Sequence, residues 1–173
     1  MSSINYDLTK IKSFIFDVDG VLSPSTIPLS KEGEPMRMVN IKDGYAINLA
    51  IKNGFDVAII TGADTENIRV RFSKLGVKEI YMKSRIKIND LNDYMQKTGY
   101  KAEEILYSGD DIPDYQVMKA VGLSVAPADA AFEIRGIAKY ISHLKGGDGI
   151  ARDVIEQVMK AQGKWMGEEA FGW

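Results

Sequence analysis

Six short apolar runs with helix-period stretches between them set the narrowest limit on what this sequence can fold into. The runs lie at residues 13 to 17, 56 to 61, 79 to 82, 105 to 108, 123 to 126 and 139 to 142. Helical spacing fills 44 to 53, 64 to 75, 87 to 98, 112 to 121, 129 to 137 and 149 to 161. In the second of these, Ile68, Phe72 and Leu75 share one stripe, with Arg69 and Lys74 off it. A strand that is apolar at Phe14, Ile15 and Phe16 in succession has to be covered on both faces, and strand–helix alternation implies a parallel sheet between helix layers. The expected fold class is α/β, a Rossmann-like three-layer sandwich with a central parallel sheet.

One interval breaks the rhythm. Residues 23 to 43 separate the first strand from the first helix and hold three prolines and a turn-like KEGE. A β-hairpin insertion after strand 1 fits this stretch, its pairing confined by the prolines, with an ordinary loop as the alternative. At 173 residues the chain is expected to form a single domain, 1 to 173, with a tail at about 163 to 173. That tail places Trp165, Phe171 and Trp173 among glycines. It reads either as a lid over a site or as a segment pinned to its own subunit.

Composition removes several classes of function. With 22 Lys and Arg against 24 Asp and Glu, a formal charge of -2 and no basic block, nucleic acid is not an expected partner. No apolar run is long enough to span a bilayer and the N-terminus lacks the apolar core of a secretory signal, so no membrane partner and a cytoplasmic location are expected. Cysteine is absent, which removes disulfides, thiolate metal sites and cysteine nucleophiles. His143 is the sole histidine and reads as structural. Carboxylates and lysines are left to carry any chemistry.

Those carboxylates gather at strand ends. The first strand, in FIFDVDGVLS, ends in Asp17, Asp19 and Gly20; the second ends in Thr61 and Gly62; the fourth, in ILYSGDDIPD, runs into Asp110, Asp111 and Asp114. Ligands of open parallel sheets bind beyond these carboxyl ends. Like charges about 4 Å apart repel by roughly 4 kcal/mol at an effective dielectric of 20, so such a cluster calls for a bound cation. Oxygen ligands without cysteine or a second histidine favour Mg2+.

Taken in order, DVDGVL, IITG, a downstream lysine and GDDIPD resemble the haloacid dehalogenase superfamily of aspartate-nucleophile phosphatases. The early hairpin, KDGYAI at 42 to 47 and GGDGIAR at 146 to 152 are similar to its capless subclass, the phosphatases of 3-deoxy-D-manno-octulosonate 8-phosphate in lipopolysaccharide precursor synthesis. The resemblance implies a Mg2+-dependent phosphomonoester hydrolase with an aspartyl-phosphate intermediate. Asp17 is then the nucleophile, and Asp19 the proton donor to the leaving oxygen and the proton acceptor from water. Asp17, the Asp19 backbone carbonyl and Asp110 become the metal ligands, supported by Asp111 and Asp114 in an outer layer. Thr61, Gly62 and Lys87 hold the phosphoryl group, with Lys83 as a nearby competitor for the lysine's place. Relatives usually carry Asp just before this lysine and Gly four before it, where this chain has Ile86 and Lys83.

The chain has no room for a cap domain, so the resemblance also implies a homotetramer in which neighbouring subunits complete the active site. Arg71 and Lys74 are the family-matched contacts to a phosphorylated sugar acid, with Arg69, Lys42, Asp43 and Arg152 as further candidates. Met36 and Met38, flanking Arg37, fit an apolar hairpin face packed on another subunit. GGDGIAR reads as the turn that sets the last helix. Ala63, where nonulosonate-specific relatives tend to carry Glu, tilts the reading to the eight-carbon acid over nonulosonate 9-phosphates. A receiver-like signalling domain is the alternative from another class. It would need its phosphoacceptor on strand three, and EIYM ends without an acid.

Overall fold

In the computed structural model, which describes residues 3 to 172, the six apolar runs form one all-parallel sheet. Its strands are β1 (Ser13–Phe16), β2 (Asp56–Ile60), β3 (Glu79–Tyr81), β4 (Ile105–Ser108), β5 (Leu123–Ala126) and β6 (Tyr140–Ile141), in the order β3-β2-β1-β4-β5-β6. Between them run α1 (Ile41–Lys52), α2 (Glu66–Lys74), α3 (Lys87–Thr98), α4 (Tyr115–Ala120), α5 (Phe132–Ile137) and α6 (Ile150–Ala161).

The unbroken apolar character of β1 has a direct cause. Phe14 and Phe16 point into a core shared with α1, α2 and α6, while Ile15 points to the other side, into a core shared with α3, α4 and α5. The same division separates Val57 and Ile59 from Ala58 and Ile60, and Leu106 from Ile105 and Tyr107. Both faces are dry, so period-two alternation of polarity has no place in these strands. The α2 stripe is buried as the spacing requires, through Ile68, Phe72 and Leu75.

Element boundaries shift where capping decides them. The first helix starts at Ile41, three residues before the apolar spacing indicates, because the Asn40 side chain accepts hydrogen bonds from the Lys42 and Asp43 N–H groups at 2.9 and 3.3 Å. The expected helix from 112 divides into a 3-10 turn, Ile112–Asp114, and α4. The helix expected from 129 starts at Phe132.

The hairpin insertion is minimal. One antiparallel bridge joins Leu29 to Pro35, flanked by hydrogen bonds from Met36 N to Pro28 O at 2.9 Å and from Ser30 N to Glu34 O at 2.8 Å. Pro28 and Pro35 have no N–H to extend the ladder. GGDGIAR forms the turn that starts α6.

The tail folds back on its own chain. Trp165 is buried, packs edge-on against Tyr45 of α1 at 6.4 Å and lies under the Arg152 guanidinium at 4.5 Å. The Tyr45 hydroxyl donates to the Ala170 carbonyl at 2.5 Å. Phe171 is exposed, and Trp173 lies outside the described residues.

Candidate active site

The order β3-β2-β1-β4-β5-β6 reverses direction between β1 and β4, and there the two crossovers leave from adjacent strand ends toward opposite faces of the sheet. The crevice so formed receives Asp17 and Asp19 from the end of β1 and Asp110, Asp111 and Asp114 from the end of β4. Thr61, Gly62 and Ala63 join from β2, and Ser84, Arg85 and Lys87 from the β3–α3 connection. Its volume is about 430 Å³. Two glycines permit the close approach of the acidic loops. Gly20 has φ +85 and a Cβ there would collide with the Asp110 carboxylate; a Cβ at Gly109 would collide with Asp114.

At the floor, Lys87 bridges two carboxylates. Its Nζ lies 2.8 Å from Asp17 Oδ2 and 2.7 Å from Asp114 Oδ1, with all three side chains at most 10% exposed. Asp114 is the most heavily bonded acid of the set. The Tyr107 hydroxyl donates to its Oδ1 at 2.5 Å, and the Asp110 and Asp111 N–H groups donate to its Oδ2 at 3.0 and 3.3 Å. It therefore caps the turn after β4 and holds the lysine at once. Asp17 Oδ1 accepts from the Val18 N–H at 2.7 Å, fixing the rotamer of its carboxylate. Thr61 is buried, and its Oγ1 accepts from the Ala63 N–H at 3.2 Å, which leaves the O–H to donate elsewhere.

The electrostatics of this floor are unbalanced. Burial and the charge of Asp114 push Asp17 up to about 6 against the pull of Lys87, and burial with the charges of Asp17 and Asp114 pushes Asp110 up to about 8. Burial alone lowers Lys87, but the two carboxylates beside it outweigh that and hold it above its ordinary value. Oxygens of Asp17, Asp110 and Asp114 lie within 4.8 Å of one another, so one lysine charge faces three carboxylates. A hard divalent cation fits such an all-oxygen set and removes the excess negative charge. Asp19 stands outside the cluster, its carboxylate held by Arg37 from the hairpin at 2.7 and 2.8 Å.

Lys87, not Lys83, is the lysine inside the crevice. Lys83 is exposed, pairs with Asp64 at 2.8 Å and has φ +56, the left-handed conformation that glycine adopts freely and other residues at about 1 kcal/mol or more. Arg71 and Lys74 are not brought to the crevice of their own chain. Arg71 lies over Gly44 and beside the hairpin, and Lys74 is exposed at the end of α2. Lys42, His143 and Arg152 line a separate cleft on the α6 side. Asp43 is buried near it; its Oδ1 accepts from the Arg152 N–H at 2.7 Å, its Oδ2 has no partner, and burial raises it to about 7.

Tyr107 and Arg37 are the residues that sequence reading missed. Tyr107 was legible in principle, since a tyrosine inside a doubly covered strand needs a partner for its hydroxyl. Arg37 carried no such signal between two methionines.

The family model of the haloacid dehalogenase-like hydrolases matches residues 61–154. The chain belongs to that family. It is 39% identical over 154 residues to the 3-deoxy-D-manno-octulosonate 8-phosphate phosphatase of Salmonella typhi, an alignment covering 89% of this chain and 82% of the relative. The crystal structure of the Yersinia pestis phosphatase of the same name superposes with a TM-score of 0.89 at 36% identity, covering 93% of this chain and 87% of the other. A Moraxella catarrhalis phosphatase of that name, solved with magnesium ion, phosphate ion and a KDO molecule, superposes with a TM-score of 0.86 at 30% identity over 91% and 90% of the two chains. The chain is thus a hydrolase of phosphomonoesters with a site suited to Mg2+. Its acids come from β1 and β4, whereas a receiver domain draws its own from the first and third strands. Among the described residues no helix is long and apolar enough to cross a membrane.

Proposed function

We propose that this protein hydrolyses 3-deoxy-D-manno-octulosonate 8-phosphate to the free sugar acid and phosphate, with residues 1 to 173 working as one domain. The observation that carries the chemistry is the buried Lys87 bridging Asp17 and Asp114 beside Asp110. The substrate is supported by the names of the relatives and by the sugar acid and phosphate in the Moraxella structure.

In this reading a carboxylate oxygen of Asp17 attacks phosphorus in line, the bond from phosphorus to the sugar oxygen breaks, and Asp19 gives that oxygen its proton. Asp19, now ionised, takes a proton from the water that attacks the aspartyl phosphate, releasing phosphate and restoring Asp17. Lys87 and the Thr61 hydroxyl face the phosphoryl oxygens, with the Gly62 backbone beside them. Asp17, Asp110 and the Asp19 carbonyl would hold Mg2+, with Asp111 and Asp114 behind them; when bound, the ion supplies positive charge against the phosphoryl oxygens.

The same reading makes the working form a tetramer in the cytoplasm. It is supported by the exposed apolar face of the hairpin and the start of α1, where Leu29, Met36, Met38, Val39 and Ile41 are each at least half exposed, and by the position of Arg71 and Lys74 away from their own crevice. A neighbour would bring those two cations to the sugar carboxylate. Phosphate release from a panel led by octulosonate 8-phosphate, with nonulosonate 9-phosphates and neutral sugar phosphates beside it, with and without Mg2+, tests the assignment. Preference for the eight-carbon acid and loss of activity in EDTA are expected. Activity retained in EDTA overturns the mechanism, and preference for a nine-carbon acid overturns the substrate. Light scattering coupled to gel filtration reads the oligomer.

A further inference from the structure

Asp19 stands on the wall between two clefts. One is the acidic crevice; the other, of about 380 Å³, runs between the hairpin and α2 and is lined by Val18, Met36, Arg37, Thr65 and Arg71 among others. From that second cleft Arg37 reaches the Asp19 carboxylate. Its Nε donates to Oδ1 at 2.7 Å and its Nη2 to Oδ2 at 2.8 Å, while Nη1 donates to Thr65 Oγ1 at 2.9 Å. The arginine side chain is 13% exposed and the aspartate side chain 39%. The contact is a two-point, charge-assisted fork, with the guanidinium itself anchored at a third point.

We propose that Arg37 is a positioning residue for the proton-transferring group of the reaction. It fixes the direction in which Asp19 presents its carboxyl to the sugar oxygen and then to water. The inference rests on the reading of Asp19 given above. Each carboxylate oxygen has two acceptor sites, and the fork occupies one on each, so each oxygen keeps one site free of the guanidinium; Asp19 lines the crevice, and one of those sites carries the transferred proton. Arg37 does not line the crevice and so acts through Asp19, without contacting the substrate there. The turn that carries Asp19 is itself fixed, by Gly20 N on Ser23 O at 2.9 Å and Ser23 N on Val18 O at 2.9 Å. Side-chain rotation is the freedom left for Arg37 to remove.

The test separates leaving groups that need a proton from one that does not. A sugar alkoxide must be protonated as it departs; p-nitrophenolate leaves without help. Values of kcat/KM, which report steps through the first irreversible one, exclude hydrolysis of the phosphoenzyme from the comparison. In Arg37→Met, kcat/KM for octulosonate 8-phosphate and for a neutral sugar phosphate should fall together by about 30-fold, part of the gain of a hundredfold or more that a placed general acid supplies. For p-nitrophenyl phosphate it should stay within about threefold on the same grounds. Arg37→Lys should recover part of the loss. Thr65→Val, which frees one anchor and leaves the charge, should show the same selectivity at about threefold and serves if Arg37→Met does not fold. An equal fall on all substrates in both variants overturns the proposal, as does a fall confined to the carboxylated sugar, which would make Arg37 a reader of substrate. Asp19→Asn keeps the two failures apart. If it shows the leaving-group selectivity and the Arg37 variants do not, the proposal alone fails; if it shows none, the role of Asp19 fails with it.

Discussion

Asp114 at the floor of the acidic crevice receives hydrogen bonds from Lys87, Tyr107 and two backbone N–H groups, and its side chain is 1% exposed. Gly62, Arg85 and Asp111 at the rim of the same crevice are exposed, and the cations expected to read a sugar acid lie elsewhere on the surface. Under the proposed function, the contrast divides the work. Bond breaking needs fixed charges in a dry setting, which one chain can assemble by itself. Recognition of the remainder of the substrate falls to a surface that this chain leaves open.

The largest effect should come from the floor. Asp17→Asn keeps the shape of the side chain without its nucleophilicity, so turnover should drop by about 10⁴-fold or more while circular dichroism stays that of the wild type. Near-normal turnover would remove the floor from the chemistry altogether. Lys87→Met should cost about 3 kcal/mol of stability without Mg2+ and at least a hundredfold in kcat, because it strands two buried carboxylates. Chemical denaturation with and without the ion measures the first. A loss in kcat alone would mean that the lysine contributes nothing to holding the floor together.

Deleting residues 164 to 173 asks whether the tail belongs to the rim. Since Trp165 is docked on α1 beneath Arg152, its loss should lower stability by about 2 kcal/mol with KM and kcat within twofold. A changed KM at an unchanged melting temperature would make the tail a lid. Arg71→Ala should raise KM for the sugar acid about tenfold at nearly constant kcat, the signature of uniform binding, and leave p-nitrophenyl phosphate untouched.

Asp43, buried but in neither region, provides a control. Its folded value is raised to about 7, above the ordinary 3.8, so between about pH 4 and 7 the native state keeps a proton that the unfolded chain has released. Stability from this group is therefore present below about pH 4, declines as pH rises through that window, and is fully lost above 7. Asp43→Asn gives the unpartnered oxygen's place to a neutral amide and should stabilise the protein by about 1 kcal/mol at pH 8, with no gain at pH 4. Thermal melts at the two pH values measure it. Equal effects at both would mean that Asp43 is not the titrating group.

The sheet and the floor were legible because each strand carries its own local signal, and a parallel sheet brings the carboxyl ends of distant strands to one edge. Apolar strands announce themselves, and acids at their carboxyl ends have one place to go. Side-chain direction on α2 was not legible: Arg71 borders the buried stripe and Lys74 lies off it, but whether they face this crevice or another depends on tertiary placement. The Arg37 fork joins residues from a weakly paired insertion to a strand end, a contact that no local pattern encodes. Nor does a lysine announce that it will occupy a left-handed turn, as Lys83 does.

The pairing of β1 with β4 bears on the birth of the enzyme as well as on its action. Asp17 is made before Asp110 and Asp114, which leave the ribosome only after β2, β3 and three helices. Until β4 adds to the free edge of β1, Asp17 has neither its neighbouring carboxylates nor the Asp114 anchor of its lysine. Under the proposed function, activity is then expected to appear in one step, when the second half of the sheet joins the first, and a chain cut short before β4 should be silent however well its first three strands fold.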